Sequence, residues 1–274
     1  MLLSILWDID PEIFSLPINW WIFGTISIRW YGLLFALGFL LGYYIVEKMF
    51  KRDGVELEWL DKVFIYTMIA TVVGARLGHV FFYGWEFYSQ HPSEIIKIWH
   101  GGLASHGAAI GIITALWLYS KKVSKKPMLW IMDYVVIPVA LAGCFIRLGN
   151  LMNSEIIGIQ THSNWGFEFI RASIYEPTAP RHPAQLYESI CYLISFAILM
   201  FMYWKTNAKQ YQGRLFGTFF VLIFSARFFI EFVKENQEAF EQGMLLNMGQ
   251  LLSIPLILMG LFFLIRSYRI SPQK

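Results

Sequence analysis

Long apolar runs separated by short polar joints dominate this chain. A helix that crosses a bilayer needs about 20 mostly apolar residues. Seven stretches qualify, at roughly 28–47, 61–83, 103–120, 129–149, 185–204, 214–233 and 245–265. The joints alternate in charge. Those after the first, third, fifth and seventh runs carry Lys48, Lys51 and Arg52; Lys121, Lys122, Lys125 and Lys126; Lys205, Lys209 and Arg214; and Arg266, Arg269 and Lys274. The others, such as "KENQEAFEQG", are acidic or mixed. Lys- and Arg-rich loops stay in the cytoplasm, so the pattern predicts the N-terminus outside and the C-terminus inside. The expected fold is an all-α integral membrane protein, one seven-span domain over residues 1–274. A polar insertion at about 159–182, broken by Pro177 and Pro180 and ending before Pro183, is expected to form a small extracytoplasmic cap.

The opening "MLLSILW" is apolar but has no basic residues before it, and Asp8, Asp10 and Glu12 follow at once. It reads as an interfacial segment rather than a cleaved signal peptide. Composition agrees with a multi-spanning protein. The hydrophobic share is 57% and the charged share 15%, where soluble domains carry roughly a quarter charged residues. No block of like charge suggests a nucleic-acid arm. Cys144 and Cys191 lie in apolar runs and read as packing residues. There is no internal repeat of the kind inverted-repeat transporters show.

Ionisable groups inside the spans are the informative residues, because each costs roughly 2.5–3.5 kcal/mol at a helix centre. Arg76 stands in "VGARLGHVFFY" beside Gly74, Ala75 and Gly78, and either packs and snorkels or serves a site. Arg227 and Glu231 are four apart on one helix face and can pair, either neutralising each other or joining a site. His106 is surrounded by Gly101, Gly102, Gly107 and Gly111; imidazole titrates near neutral pH and can act as a base.

The densest polar stretch is "IRLGNLMNSEIIG", Ile146 to Gly158. Arg147, Asn150 and Ser154 fall on one helical face, flanked by Asn153 and Glu155. Backbone and side-chain polar groups at membrane depth must be satisfied internally, so this stretch leaves the helix, meets other polar groups or lines a wet cavity. Gly149 and Gly158 make a non-helical turn plausible. Two arginines, a histidine, two asparagines and two carboxylates are expected in the outer half of the bundle. Converging arginines point to an anion, most naturally a lipid phosphate, with a base nearby.

"RLGNLMNSEIIG" resembles the signature of the bacterial prolipoprotein diacylglyceryl transferases, Arg-x-Gly-Asn-x-x-Asn-x-Glu-x-x-Gly. "RWYGLLFALGF", "GARLGHVFFY", "GGLASHGAAIG", "PRHPAQLYE" and "ARFFIEF" fit the same family in the same order. The resemblance implies transfer of the diacylglyceryl group of phosphatidylglycerol to the lipobox cysteine of a preprolipoprotein. A thioether forms and glycerol phosphate leaves. It implies a catalytic role for His106 as base of the incoming thiol, for Tyr31 and for Arg147. It implies lipid contacts by Arg147, Asn150, Asn153, Glu155, Gly158 and Arg227, with Glu231 orienting Arg227. No metal or other cofactor and no nucleic acid are implied. The expected place is the bacterial cytoplasmic membrane, with the active site toward the outer side and the chain a monomer among membrane lipids. Three positions depart from the family: Ile146 and Ser154 stand where glycine is usual, and Ile223 replaces a tyrosine. A transporter would instead place polar residues in both halves of the bundle; a lipid-binding scaffold would share the site without the chemistry.

Overall fold

A computed structural model of the protein describes residues 4–20, 23–98, 101–163, 165–174, 176, 178–236, 241 and 243–271; Pro177 and Lys274 lie outside them. Strands β1 (Ile5–Trp7), β2 (Glu12–Trp20) and β3 (Phe23–Arg29) open the chain. Helices α1 (Trp30–Asp53), α2 (Leu57–Phe82), the short α3 (Trp85–Gln90) and α4 (Ser105–Tyr119) follow. Then come α5 (Met128–Met152), β4 (Phe167–Phe169), α6 (Ala184–Lys205), α7 (Arg214–Ile230) and α8 (Met248–Arg269). Six described helices are long and apolar enough to cross a membrane: α1, α2, α5, α6, α8 and the segment Arg214–Val233. The chain is a multi-pass helical membrane protein. The run predicted at 103–120 is α4, only 15 residues long, which continues into a π-turn at Ser120–Ser124.

The chain divides into two compact units, residues 1–42 with 135–274, and residues 43–134. In the second unit, α2 and α4 cross on glycine. A Cβ added at Gly107 would lie 2.6 Å from the Gly78 Cα, and one at Gly111 would lie 2.5 Å from the Ala70 carbonyl. Gly74 and Gly78 on one helix thus face Gly107 and Gly111 on the other, each pair four residues apart. Such spacing lets backbones approach closely where lipid offers no hydrophobic drive for association. In the first unit, α7 and α8 use the same device: a Cβ at Gly217 would lie 2.7 Å from the Gly260 carbonyl. Pro138 in α5 and Pro255 in α8 are tolerated inside their helices, as membrane helices often allow.

The all-α expectation holds for the long helices but not for the rest. β2 and β3 form an antiparallel hairpin whose base pairs Glu12 with Arg29, and the Trp30 amide donates to the Pro11 carbonyl at 3.1 Å. β1 pairs in parallel with β4, in the predicted insertion. The opening segment is therefore tied by strand pairing to the predicted insertion. Leu151, Ile157, Phe167 and Phe169 form a buried cluster there, with Trp7 packed on it. The Trp7 indole donates to the Leu151 carbonyl at 3.0 Å. Arg171 grips Asp8 and Asp10 at 2.7 and 2.9 Å. The Glu12 amide and then Arg171 hold the Asp10 carboxyl below its ordinary range. The sequence shows no strand signal here because β1 and β4 have only three residues each and Ile5 pairs with the distant Phe167.

Candidate functional site

In the first unit the polar signature begins inside α5. Arg147 and Asn150 belong to its last two turns, and Gly149 stays helical, contrary to the expectation that it would start a turn. Gly149 instead makes room for an aromatic ring: a Cβ there would lie 2.7 Å from Tyr31. The helix ends three residues later. The Glu155 amide donates to the Asn150 carbonyl at 3.1 Å and the Ser154 amide to the Leu151 carbonyl at 3.1 Å. Ser154 has φ +52. This is the Schellman cap, whose left-handed position favours glycine. A serine is strained at such a position where a glycine would not be. Ser154 is buried, and its hydroxyl has no hydrogen-bond partner among the described residues. Ser154→Gly is therefore expected to raise stability by about 1–2 kcal/mol, read as a higher unfolding midpoint in detergent; an unchanged or lower midpoint would show that the serine is not strained.

The cap folds Glu155 back onto the helix end. Asn150 donates to the Glu155 carboxylate at 2.7 Å and Asn153 does so at 3.2 Å. Asn150 also accepts from the Arg147 guanidinium at 3.0 Å. Gln185, on α6, donates to the Glu155 carbonyl at 2.6 Å. Ile156, at φ +59, is a β-branched residue in the left-handed region, where such side chains are strained. Gly158 is pinned between strand-like neighbours: its amide donates to the His182 carbonyl at 2.9 Å, and a Cβ would lie 2.6 Å from the Val233 carbonyl.

Arg147 is held from the other side by α6. Its Nε lies 2.6 Å from the Glu188 carboxylate, and Glu188 is fully buried. Tyr192, one helical turn further along, lies within electrostatic reach of the guanidinium. A guanidinium has five N–H groups. Asn150 accepts from one of them, and Nε is in ion-pair contact with Glu188, whose carboxylate oxygens make no hydrogen bond among the described residues. The side chain is thus fixed in place with donors to spare. Tyr31 lies within electrostatic reach of both Arg147 and Glu155.

Arg76, in the second unit, is the contrast. It is buried, and all five of its N–H groups go to backbone carbonyls, those of Ile95, Gly101, Gly102, Glu94 and Lys97. It neither snorkels nor has a donor free for a ligand; it holds a loop.

The expected Arg227–Glu231 pair is not made. α7 ends at Ile230, and Glu231 opens a 3₁₀ turn that brings Lys234 beside it, at 3.1 Å. Both are buried, and Gly249 leaves room for the carboxylate. A spacing of four pairs side chains only along a continuous α-helix, and here the helix gives way to a 3₁₀ turn at Glu231. Arg227 is half-buried, within electrostatic reach of Tyr192, and has no ion-pair partner among the described residues.

His106 belongs to the second unit, at the second position of α4. It is exposed and lines a cleft of about 340 Å³ with His79, Tyr83 and Ser105. Its ring centroid lies 5.3 Å from Phe82 and 5.5 Å from Tyr83. Among the described residues no group of three His, Cys, Asp or Glu side chains is placed to hold a metal.

Four contributors were missed in the sequence: Glu188, Tyr192, Gln185 and Lys234. Glu188 carried a signal, a carboxylate inside an apolar run and within the quoted "PRHPAQLYE". Tyr192 stands four residues on, sharing its helix face. Lys234 gave none, because a lysine just past a span is ordinarily solvated.

Fold and site define a multi-pass membrane protein that presents an anchored, incompletely satisfied arginine at the end of a helix. The family model described as prolipoprotein diacylglyceryl transferase matches residues 17–266. The chain is 47% identical to the phosphatidylglycerol–prolipoprotein diacylglyceryl transferase of Tolumonas auensis, over 95% of this chain and 96% of that one. It is 46% identical to the protein of the same name from Porphyromonas gingivalis and 45% to that from Chloroherpeton thalassium, each over 97% of this chain and 95% of the relative. The chain belongs to the prolipoprotein diacylglyceryl transferase family, and it is a transferase.

Proposed function

We propose that the chain transfers the diacylglyceryl group of phosphatidylglycerol to the lipobox cysteine of a preprolipoprotein signal peptide, in the bacterial cytoplasmic membrane. The carrying observation is the state of Arg147: clamped by Glu188 and Asn150, yet with N–H groups uncommitted. Such a group binds a phosphate without first having to be ordered.

The cysteine thiol loses its proton to a base, and the thiolate sulfur attacks the terminal glycerol carbon of the diacylglyceryl group. A C–S bond forms, the C–O bond to phosphate breaks, and glycerol phosphate leaves with the electron pair. Arg147, helped by Arg227, stabilises the charge that builds on the phosphate oxygens. Asn150, Asn153 and Glu155 shape the headgroup site, Gly158 lets the segment behind them pack against His182 and Val233, and Tyr31 borders the site. Glu231 holds Lys234 at the end of α7, beside the turn that carries Arg227. His106 takes the proton; a free thiol has a pKa near 8.5, so a base is needed at neutral pH. The reading includes seven spans with α4 as the third, the N-terminus out and the C-terminus in, the reaction on the outer side, and one chain acting as one domain and as a monomer. The alternating Lys/Arg joints support that orientation.

The test is direct. Purified protein given phosphatidylglycerol and a lipobox peptide is expected to yield a diacylglyceryl peptide and glycerol phosphate; no release above background would sink the proposal. In the same assay His106→Gln is expected to lose roughly 10²–10⁴-fold in rate. Near-normal turnover in that variant would move the base elsewhere.

A further inference from the structure

The second unit has another hollow, at the opposite end of α4 from His106. It is open, about 520 Å³, and lined by Trp117, Ser120, Lys121, Lys125, Lys126 and Met128, among others. The length of α4 separates it from the His106 cleft by about 20 Å, so the two are different places.

The loop that forms it is built. The Ser120 hydroxyl donates to the Lys126 carbonyl at 2.5 Å, and the Lys126 amide donates to the Ser124 hydroxyl at 3.3 Å. Both serines are buried while the three lysines around the hollow are exposed. Lys125 is held at φ +52, and α4 passes into a π-turn instead of ending in a cap. Such turns recur at functional positions.

The lysines differ from others in the same unit. Lys51 pairs with Glu47, Lys62 with Glu58 and Lys97 with Glu94. Among the described residues no carboxylate meets Lys121, Lys125 or Lys126. Three ammonium groups gathered about one hollow repel each other, and an anion placed between them relieves that repulsion. Lysine binds phosphate well as a point charge. Trp117, 50% exposed, lines the hollow together with Met128. An indole with one apolar and one wet side is characteristic of the membrane boundary, and neither residue serves a small soluble anion.

We propose that this hollow holds the phosphate of an anionic phospholipid headgroup, with the lipid's chains lying along α4 past Trp117. The site is separate from the transfer chemistry. It rests on α4 lying in the bilayer, and not on the identity of the catalysed reaction.

Native mass spectrometry of the full chain in a neutral detergent tests it by counting retained molecules at constant ionic strength. The probes are dihexanoyl phosphatidylglycerol, dihexanoyl phosphatidylcholine and glycerol phosphate. Wild type is expected to retain one more phosphatidylglycerol than the Lys121→Gln/Lys125→Gln/Lys126→Gln variant. Each single neutralisation is expected to weaken that binding roughly fivefold. Lys122→Gln, which removes the same charge from the same turn outside the hollow, is expected to leave it unchanged. Equal retention by wild type and the triple variant would overturn the proposal. Equal retention of phosphatidylcholine, or an equal loss in Lys122→Gln, would also overturn it. Displacement of the lipid by glycerol phosphate at matched concentration would reassign the hollow to soluble phosphates and end the lipid reading.

Discussion

Arg147→Ala is expected to abolish release of glycerol phosphate from phosphatidylglycerol, with a loss of at least 10²–10³-fold in rate. The spare guanidinium donors are aimed by Glu188 and Asn150, and alanine removes both charge and fork. The variant also leaves Glu188 buried without its cation, and an uncompensated buried charge costs about 3–5 kcal/mol. A lower unfolding midpoint will therefore accompany the lost activity. Arg147→Lys separates the two effects. Lysine keeps a positive charge near Glu188 but cannot hold Glu188, Asn150 and a phosphate at once in a planar fork. The midpoint is expected to recover most of the way while the rate stays at least about tenfold down. If Arg147→Lys turned over like wild type, Arg147 would be a structural counter-ion to Glu188 and the phosphate would be held elsewhere.

Gly107→Val is expected to be the most damaging single change to the second unit. The added Cβ alone would lie 2.6 Å from the Gly78 Cα, inside van der Waals contact with main chain, and main chain has nowhere to rotate. α2 and α4 must separate. Separation costs the packing along the whole crossing, because helices in lipid are held by close contact rather than by exclusion from water. A loss of several kcal/mol is expected, at the upper end of what overpacking produces. Unfolding in mixed micelles, followed by helix content and by protease access to the 94–102 loop, will show it. Gly107→Ala is expected to do the same to a smaller degree, since its Cβ meets the same atoms. A Gly107→Val protein with wild-type stability would mean that the α2–α4 crossing is not close.

The helical frame was legible because it rests on local composition: every long apolar run became a helix, and only α4 falls short of the length that marks a span by itself. The polar signature was legible as a site because charge at membrane depth is conspicuous. Its internal geometry was not. Nothing near Arg147 in the chain announces Glu188, which arrives from a helix 41 residues later. The Arg227–Glu231 pairing was inferred from a spacing of four, and the spacing stopped applying when the helix ended at Ile230. Arg76 could not be told from Arg147 by sequence, since both are arginines in greasy helices beside glycine; only a count of their acceptors separates them. β1 and β4 were hidden for a different reason, their short length and distant pairing, whereas the β2–β3 hairpin lies in an apolar, aromatic stretch that carries no clean alternation.

The acceptors of Arg76 have a further consequence. Between α3 and α4 the described chain has no long helix, so its carbonyls need donors from elsewhere, in protein or in water. One guanidinium supplies such donors, binding five carbonyls from Glu94 to Gly102. The reach of a single side chain then sets how much irregular backbone this part of the fold can carry. Lengthening that loop would strand carbonyls beyond the guanidinium, so loop and arginine are fixed in size by one another.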